Sequence, residues 1–566
     1  MATPPTSRRR ALWVATGVAG LTGVVGLAAL GGLAARDDKS GGTDPVAENH
    51  AAAPQHSDKD SRGSDEHGKD GKDRGQEGRD KGEWGEWGDK DDHGKVRDVP
   101  CDDDALVDAL DLANRDHGGT LKLAENCTYE VDVKDRKFGA GLPEIKQDVT
   151  IKGNGSTIKR DAEDTFRIFR VVDGGALTLK DLTVKGGNAN EFKYGGGGAP
   201  PTPMASGPVG GYEKRGEGDG GALLVERGGK AHLSQVKLTH NNAEGNGGAI
   251  ANYGRVWVQD SKVYDNHAQG DGGGIFNQGV LKVEESHVDD NTAGGNGGGI
   301  ANGGGERKDE HGPVDLAGAV AEKGAKGEQD KHHAGTVEII GAHKGKDASL
   351  STLSHNRAGK NGGGLFSSGG TVTVSFTAIG GNTACENGGG VYAENTELDL
   401  DKVHVAGNHA DGNGGGVVVT GGRDWAGNGA GKHNGEASAT ISDSVIVDNT
   451  ANRFGGGIFN GEWLVKIEDG FLTREHDKDD NATLTIRDTL VKGNTALNGG
   501  GIFNNKATIT LTKTHVTKNT ATDSSKLHRV AGGVLNNEGR VKLDDKSLIS
   551  NNDPTNCANT VKDCFN

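Results

Sequence analysis

One phrase recurs through the chain and limits what it can become. YDNHAQGDGGGIFN (264–277) is followed by DDNTAGGNGGGIAN (289–302), GGNTACENGGGVYA (380–393), VDNTANRFGGGIFN (447–460) and VKGNTALNGGGIFN (491–504). Glycine at this density is costly to order, so the repetition must serve a backbone geometry that few other residues allow. The asparagine two residues before alanine sets the register: Asn241, Asn266, Asn291, Asn356, Asn382, Asn408, Asn449, Asn494 and Asn519. Successive members lie 25, 25, 65, 26, 26, 41, 45 and 25 residues apart, a base period of 25 or 26 broken by insertions. Repeats of that length mark a solenoid, a propeller or an array.

Within a period the pattern narrows further. An apolar residue stands three positions before each asparagine: Leu238, Val263, Val288, Leu353, Ile379, Val405, Ile446, Val491 and Val516. Five residues earlier a second apolar position recurs in eight of the nine periods, as in Leu233, Val258, Val283 and Leu400. Both fall in short alternating segments such as GRVWVQDSKV and ATITLTKTHV, and alternation over so few residues predicts strand rather than helix. A third apolar position follows the glycines, as in Ile250, Ile275, Leu365 and Ile502. Each period therefore predicts about three short strands separated by tight turns, one rung of a parallel β-helix. Glycine then serves turns with positive φ, where only Gly escapes penalty and Asn is tolerated. The asparagine column is expected to stack as an amide ladder along the axis. Between Gly220 and Ser550 the only proline is Pro313, inside an insertion, which suits strands that cannot spare an N–H. The expected fold class is all-β, a parallel solenoid of about 12 rungs.

The rest of the chain divides by composition. Arg8, Arg9 and Arg10 precede an uncharged run from Ala11 to Ala35, after which Arg36, Asp37 and Asp38 restore charge. Basic, then apolar, then polar is the layout of an export signal, and 1–35 is read as a signal or signal anchor. Ser7-Arg8-Arg9-x-x-Leu12 resembles a twin-arginine signal, with Ala11 in place of the usual aromatic. Residues 36–100 mix Asp, Glu, Lys, Arg, His and Gly with no apolar period. They read as a flexible tether whose r.m.s. span is about 45 Å. Its Trp84 and Trp87 and its His50, His56, His67 and His93 read as solvated. With 98 glycines, 32% hydrophobic residues and 4% aromatics the chain fits a repeat architecture. A net charge of −17 argues against nucleic acid or an anionic lipid surface as partner.

The repeat GG[A/G][I/L/V] with its apolar-x-x-Asn-x-Ala partner resembles the polymorphic outer-membrane-protein repeat and, more broadly, the right-handed pectin-lyase-like β-helix proteins. CDDDALVDALDLANRDHGGTLKLAENCTYEV (101–131) resembles the amphipathic capping helix and first strand that open many exported members. KQDVTIKGNGSTIKR (146–160) and RIFRVVDGGALTLKDLTVKGG (167–187) read as entry rungs. The resemblance spans about residues 101–566 and implies a right-handed helix with a short N-terminal capping helix. The outer-membrane family writes Phe where this chain writes Val, Leu or Ile, and nothing here resembles a C-terminal membrane barrel.

These readings give an N-terminal cap over 101–145, a β-helix over 146–552 and a C-terminal cap over 553–566. Open solenoid ends expose strand edges and require such caps. Cys101 and Cys127 bracket the first cap and Cys557 and Cys564 lie in the second; all four are disulfide candidates in an exported chain. Cys385 is left over and reads as a buried inert thiol. Insertions are expected at about 189–218, 303–335, 421–437, 461–481 and 522–530. The first and last enter between the Asn-x-Ala turn and the glycines, and the other three follow the Gly-Gly-Gly-Ile strand. Both entry points flank one strand, so the loops should gather on one side of the rod, often the binding side of a solenoid.

Chemistry is harder to find. Lyases of the pectin-lyase-like superfamily hold Ca²⁺ with clustered carboxylates and use Arg or Lys within WIDH and RxPxxR contexts. The nearest string here is WVQDS (257–261), and RxPxxR is absent. The hydrolases set paired carboxylates near a Gly-His-Gly, also absent. Asp265, Asp290, Glu394 and Asp448 stand at turns or strand edges and read as solvated charges. Asp does not recur at the nine-residue period of calcium-binding rolls, and the adjacent His332 and His333 read as a solvated pair. No catalytic residue, metal ligand or cofactor site is assigned. The expected function is an exported, monomeric, non-catalytic surface β-helix of adhesin-like or display type, contacting glycan or envelope components. Its membrane contact would come only through an uncleaved N-terminal segment. The alternative is a carbohydrate-active enzyme, a polysaccharide lyase or glycoside hydrolase of the same fold with an unrecognised site.

Overall fold

The computed structural model of the protein describes residues 95–132, 139–190, 218–304, 334–342, 350–421, 437–462, 465, 481–526 and 528–564. The expected export segment and nearly all of the expected tether lie outside these residues. So do most of the insertions at 189–218, 303–335, 421–437 and 461–481, with His332 and His333 among them.

The rung that holds Val258 runs through strands Arg255–Gln259, Lys262–Tyr264, His267–Ala268 and Ile275–Asn277, and Val280–Glu284 opens the next. Each strand pairs in parallel with its counterpart one period on: Val258 with Val283, Val263 with Val288, Ala268 with Ala293, Ile275 with Ile300. Repetition builds three sheets of 24, 10 and 11 strands, an all-β parallel solenoid. Where the sequence pattern predicts three strands per period, the chain makes four. The broad first sheet is bent within each rung by one residue of positive φ, such as Asp260 (46°), Lys402 (53°) or Asp443 (48°). Alternation decides which side chains turn inward. Val256, Val258, Val263, Ala268 and Ile275 are fully buried, and Val256, Val258, Val263 and Ile275 join their counterparts in neighbouring rungs in one continuous apolar core.

The glycine run has two jobs, not one. In Gly272–Gly274 only Gly272 has positive φ (71°). Gly273 does not, yet a Cβ there would lie 2.3 Å from the carbonyl oxygen of Gly298 in the next rung. The first glycine makes the turn; the second lets successive rungs approach at strand spacing.

Both described ends are covered. Helix α1 (Asp103–Arg115) starts at Asp102, whose carboxylate accepts from the N–H of Ala105 at 2.9 Å, and carries Asp103 and Asp104 in its first turn. Its buried Leu106, Leu110 and Ala113 close the first rung. Four residues of the segment expected as tether, Val96–Val99, instead form a strand paired with Thr120–Leu123, because Val99 turns into the core. At the other end the chain imitates a further rung without continuing the repeat. Val534 N–H donates to Asn556 O at 2.8 Å and Gly532 N–H to Thr555 O at 2.9 Å. Cys101 is bonded to Cys127 and Cys557 to Cys564.

Candidate functional site

The nine asparagines stand in one buried column from Asn241 to Asn519. At each step both the backbone N–H and the Nδ2 of one asparagine donate to the Oδ1 of the next, as from Asn241 to Asn266 (3.0 and 3.0 Å) and from Asn408 to Asn449 (3.0 and 2.9 Å). The second Nδ2 proton goes back one rung, from Asn356 to the carbonyl of Val288 at 2.8 Å and from Asn494 to that of Ile446 at 3.0 Å. Each side chain thus ties three rungs. The column runs past Asn519 to Asn552, whose Oδ1 accepts from Asn519, and then to Asn556.

Three further polar columns escaped the sequence reading. Hydroxyls at Ser261, Ser286 and Ser351 each accept from the backbone N–H one rung earlier. Asn252, Asn277 and Asn302 pass Nδ2–H to Oδ1 up the corner after the glycine strand at 2.7 and 2.8 Å. Asn246, Asp271, Asn296, Asn361 and Asn387 line the corner before it. There the later rung donates to the earlier one, opposite in sense to the main ladder. The isolated carboxylates also gain a place. Asp265, Asp290 and Asp448 have φ of 54°, 56° and 54°, in the left-handed position just before the ladder asparagine. Glu394 ends strand Val391–Glu394 beside the hydroxyl of Tyr392. Cys385 is half-buried, with Arg357 Nη2 3.4 Å from its sulfur. Among the described residues no group of three His, Cys, Asp and Glu side chains converges as a metal site would.

Buried charge gathers at the first rungs. Among the described residues the buried acids and cations are Glu144, Arg167 and Asp219. Rung stacking brings them together from distant sequence. Arg167 Nε donates to Asp219 O at 3.2 Å, and burial lowers its guanidinium to a pKa of about 10, with the positive charge of Arg170 second. The Asp219 carboxylate accepts from the N–H of Asn246 at 2.6 Å and from the hydroxyl of Tyr253. Arg170 bonds Glu226 and lies 3.3 Å from Glu144. Beside this cluster a cleft of about 460 Å³ opens at the corner between the third and first sheets, lined by Lys230, Tyr253, Arg255 and Val280 over Gly228, Gly229 and Gly254. Tyr253 belongs to both the cleft and the cluster. Outward on the first sheet, Trp257 stacks on His232 (4.4 Å, 15°), takes Lys282 on its other face at 5.1 Å and donates Nε1–H to Glu284.

The cleft thus offers two cations, Lys230 and Arg255, and one tyrosine hydroxyl held by the Asp219 carboxylate. Residues 305–333 leave from the same corner farther along, between Gly304 and Ala334, and Gly335 packs over Gly279.

No family model and no curated protein matches the chain. Among solved structures it is similar to the A-module of mannuronan C-5 epimerase AlgE4 of Azotobacter vinelandii, at 14% identity over 79% of this chain and 95% of that one, with a TM-score of 0.31. The A-module of AlgE6 from the same organism gives 11% identity over 77% and 94%, with a TM-score of 0.27. PfbA, a surface adhesin of Streptococcus pneumoniae, gives 12% over 79% and 88%, with a TM-score of 0.30.

Proposed function

We propose that this protein is an exported β-helix of the right-handed pectin-lyase-like kind that contacts glycan at the cell envelope without cleaving it. Residues 1–35 direct export or anchor the chain. The charged stretch to about residue 95 holds the rod away from the membrane, and the caps at 101–145 and 553–566 keep its ends from pairing with other chains. The observation that supports the reading is the continuity of the asparagine column from Asn241 to Asn552, whose buried amides are engaged in holding the rungs together. Binding then falls to the corners flanking the third sheet, where the cleft at Tyr253 lies and where residues 305–333, 422–436 and 466–480 leave the described rungs. Repeats resembling the polymorphic outer-membrane-protein type fit such a surface role. No helix among the described residues is long and apolar enough to cross a membrane.

The test is retention and depolymerisation in parallel. Residues 95–566 are passed over pectin, alginate, hyaluronan, chondroitin and neutral glycans, with and without Ca²⁺, while new reducing or unsaturated ends are counted. Retention without new ends supports the proposal, and deletion of 305–333 then measures the share of that loop. New ends would overturn it and favour an enzyme. The second reading rests on one observation, the Tyr253 hydroxyl held by Asp219 next to the buried Arg167. If that cluster is catalytic, Tyr253→Phe abolishes product formation and leaves retention in place.

A further inference from the structure

The last rungs of the broad first sheet carry a pattern of charge that reverses about its middle rung. Glu397, Ser438, Thr483, Thr508 and Arg540 stand in register along the rod, and two residues farther along each strand stand Asp399, Thr440, Thr485, Thr510 and Lys542. Both files face outward, because the residues between them, Leu398, Ala439, Leu484 and Ile509, are buried. Carboxylates open each pattern, hydroxyls fill it and a cation ends it. At the bend of each rung the order is Lys402, Asp443, Asp488 and Lys513, all at positive φ. On the adjoining strands His404, Val445, Leu490, His515 and Leu548 form a further outward file, with Val445 and Leu490 half-buried and Leu548 52% exposed.

A two-fold axis laid along the strand Ala482–Arg487 turns a second rod antiparallel and sets each rung against the one equally far on the other side. Glu397 then faces the second copy's Arg540, and Asp399 its Lys542. Asp443 faces Lys513, and at the corner Asp448 faces Lys518. Lys402 comes opposite the turn that holds Asp544 and Asp545, and Leu490 meets its own counterpart. On the axis Arg487 adjoins Asp488, so each finds its opposite on the second copy. Two contacts work against the arrangement. Lys492 meets its own counterpart, and Asp401, already bonded to Lys402 at 2.7 Å, comes near Asp544. Within one chain Lys402 lies 3.7 Å from Asp443 and Lys513 3.4 Å from Asp488, surface pairs of little worth that can exchange partners.

We infer that this face is a self-association surface, on which a second copy of the chain packs antiparallel about Leu490. The sequence alone led to a monomer; the register of the late rungs points to the partner. Each opposed pair occurs twice under the axis, so charge complementarity favours the antiparallel over the parallel arrangement. In the lone chain burial, then Asp401 and Glu397, push the Asp399 carboxyl above its ordinary 3.8, and the second copy's cations would reverse part of that rise. Strands of five and three residues at about 3.3 Å each, repeated over rungs about 4.8 Å apart, give a face of roughly 600 Å² per partner. That lies at the lower limit for a specific complex, so the dimer should be reversible and sensitive to salt.

The test is sedimentation equilibrium of residues 95–566, which carry the covers of both described ends. The parent is expected to pass reversibly from monomer to dimer, and to associate more weakly as salt is raised. Asp399→Lys and Lys542→Glu should each weaken dimerisation about tenfold, and the two changes together should restore it. In one chain these positions lie four rungs apart, about 19 Å, so only an antiparallel partner brings them together. Lys262→Glu, exposed on an early rung of the same sheet, should dimerise as the parent does. If either reversal lowers the melting temperature, Leu490→Ser takes its place and should weaken the dimer with the fold intact. A parent that stays monomeric or forms a larger oligomer overturns the inference. So does a double variant as weak as the single ones, equal weakening by Lys262→Glu, or a dimer that Leu490→Ser leaves unchanged.

Discussion

Asn356 and Asn382, 26 residues apart, meet through two hydrogen bonds to one oxygen: the backbone N–H of Asn356 reaches Oδ1 of Asn382 at 2.9 Å and its Nδ2 reaches the same atom at 3.1 Å. The Nδ2 of Asn382 in turn donates forward to Asn408 at 2.9 Å and back to the carbonyl of Leu353 at 2.8 Å. A buried amide that bridges three rungs holds their register as well as their contact.

Removing one such amide strands its partners. Asn382→Ala leaves two donors on Asn356 without their acceptor and takes the side-chain bond from the carbonyl of Leu353 inside a buried column, while Asn408 Oδ1 keeps only the backbone N–H of residue 382. The expected loss is about 3 kcal/mol in denaturant unfolding. Asn452→Ala, which removes an exposed amide bonded to Asp411 at 3.0 Å, should change stability by less than about 0.5 kcal/mol. Equal effects would show that burial in the column does not set the energy.

Glycine substitutions should separate the two roles of the glycine runs. At Gly407 (φ 62°) an added Cβ meets nothing within 4 Å, and the same turn position holds Asp265, Asp290 and Asp448 in other rungs. Gly407→Asn is therefore expected to cost less than about 0.5 kcal/mol, because Asn tolerates the left-handed region. At Gly273 the backbone is ordinary but the next rung's carbonyl lies 2.3 Å from the added carbon. Gly273→Ala should cost about 3 kcal/mol through forced separation of rungs, read as a lowered denaturation midpoint.

The solenoid and its main ladder were legible because a single residue type recurs at one offset from an apolar neighbour. The serine column was not, since Val236, Val403, Ser261 and Thr377 alternate at that place and only the hydroxyl members show a bond. The file Asn246, Asp271, Asn296 lies among glycines, where the sequence offers turn composition but no sign of stacking. The single gap among the nine periods in the second apolar position has a definite cause. In the rung of Asn356 that inward place belongs to Ile339, paired with Val283, and residues 343–349 intervene before Ser351 resumes the sheet. Counting back from the asparagine meets that interruption and misses the strand.

The cluster at the first rungs was illegible for another reason. Glu144, Arg167, Asp219 and Tyr253 belong to successive turns of the coil and share no motif. Only the register of the third sheet, Arg170 beside Leu224 and Val225 beside Asn252, brings their neighbourhoods together.

That cluster makes its own prediction. Arg167→Met leaves the Asp219 carboxylate, 6% exposed, without the buried guanidinium beside it, at an expected cost of about 4 kcal/mol. Replacing Asp219 by Asn as well should return part of that loss, because the remaining buried charge is gone while the side-chain oxygen still accepts from Asn246. Additive losses in the double variant would mean that the two residues act independently.

The acid row on the first sheet and the N-terminal cap should titrate with opposite signs. Desolvation pushes the Asp399 carboxyl above its ordinary 3.8, Asp401 and Glu397 add to the rise and Arg487 opposes it. The folded state then holds that proton more tightly than the unfolded one, so stability falls as pH rises from 3.8 through the folded value. Asp399→Asn should raise the melting temperature at pH 7, and the gain should vanish below pH 3.8. At Asp116 the bond from Lys95 at 3.0 Å comes first and Arg97 adds its charge, and together they outweigh desolvation to hold the carboxyl below 3.8. Its stabilising effect is complete above 3.8 and lost as pH falls through the folded value. Asp116→Asn should therefore lower the melting temperature at pH 7 and leave it unchanged in strong acid. Melting curves of the two variants and the parent from pH 2 to pH 8 carry the test. Displacements of the same sign at pH 7 would contradict the assignment of desolvation to Asp399 and of charge pairing to Asp116.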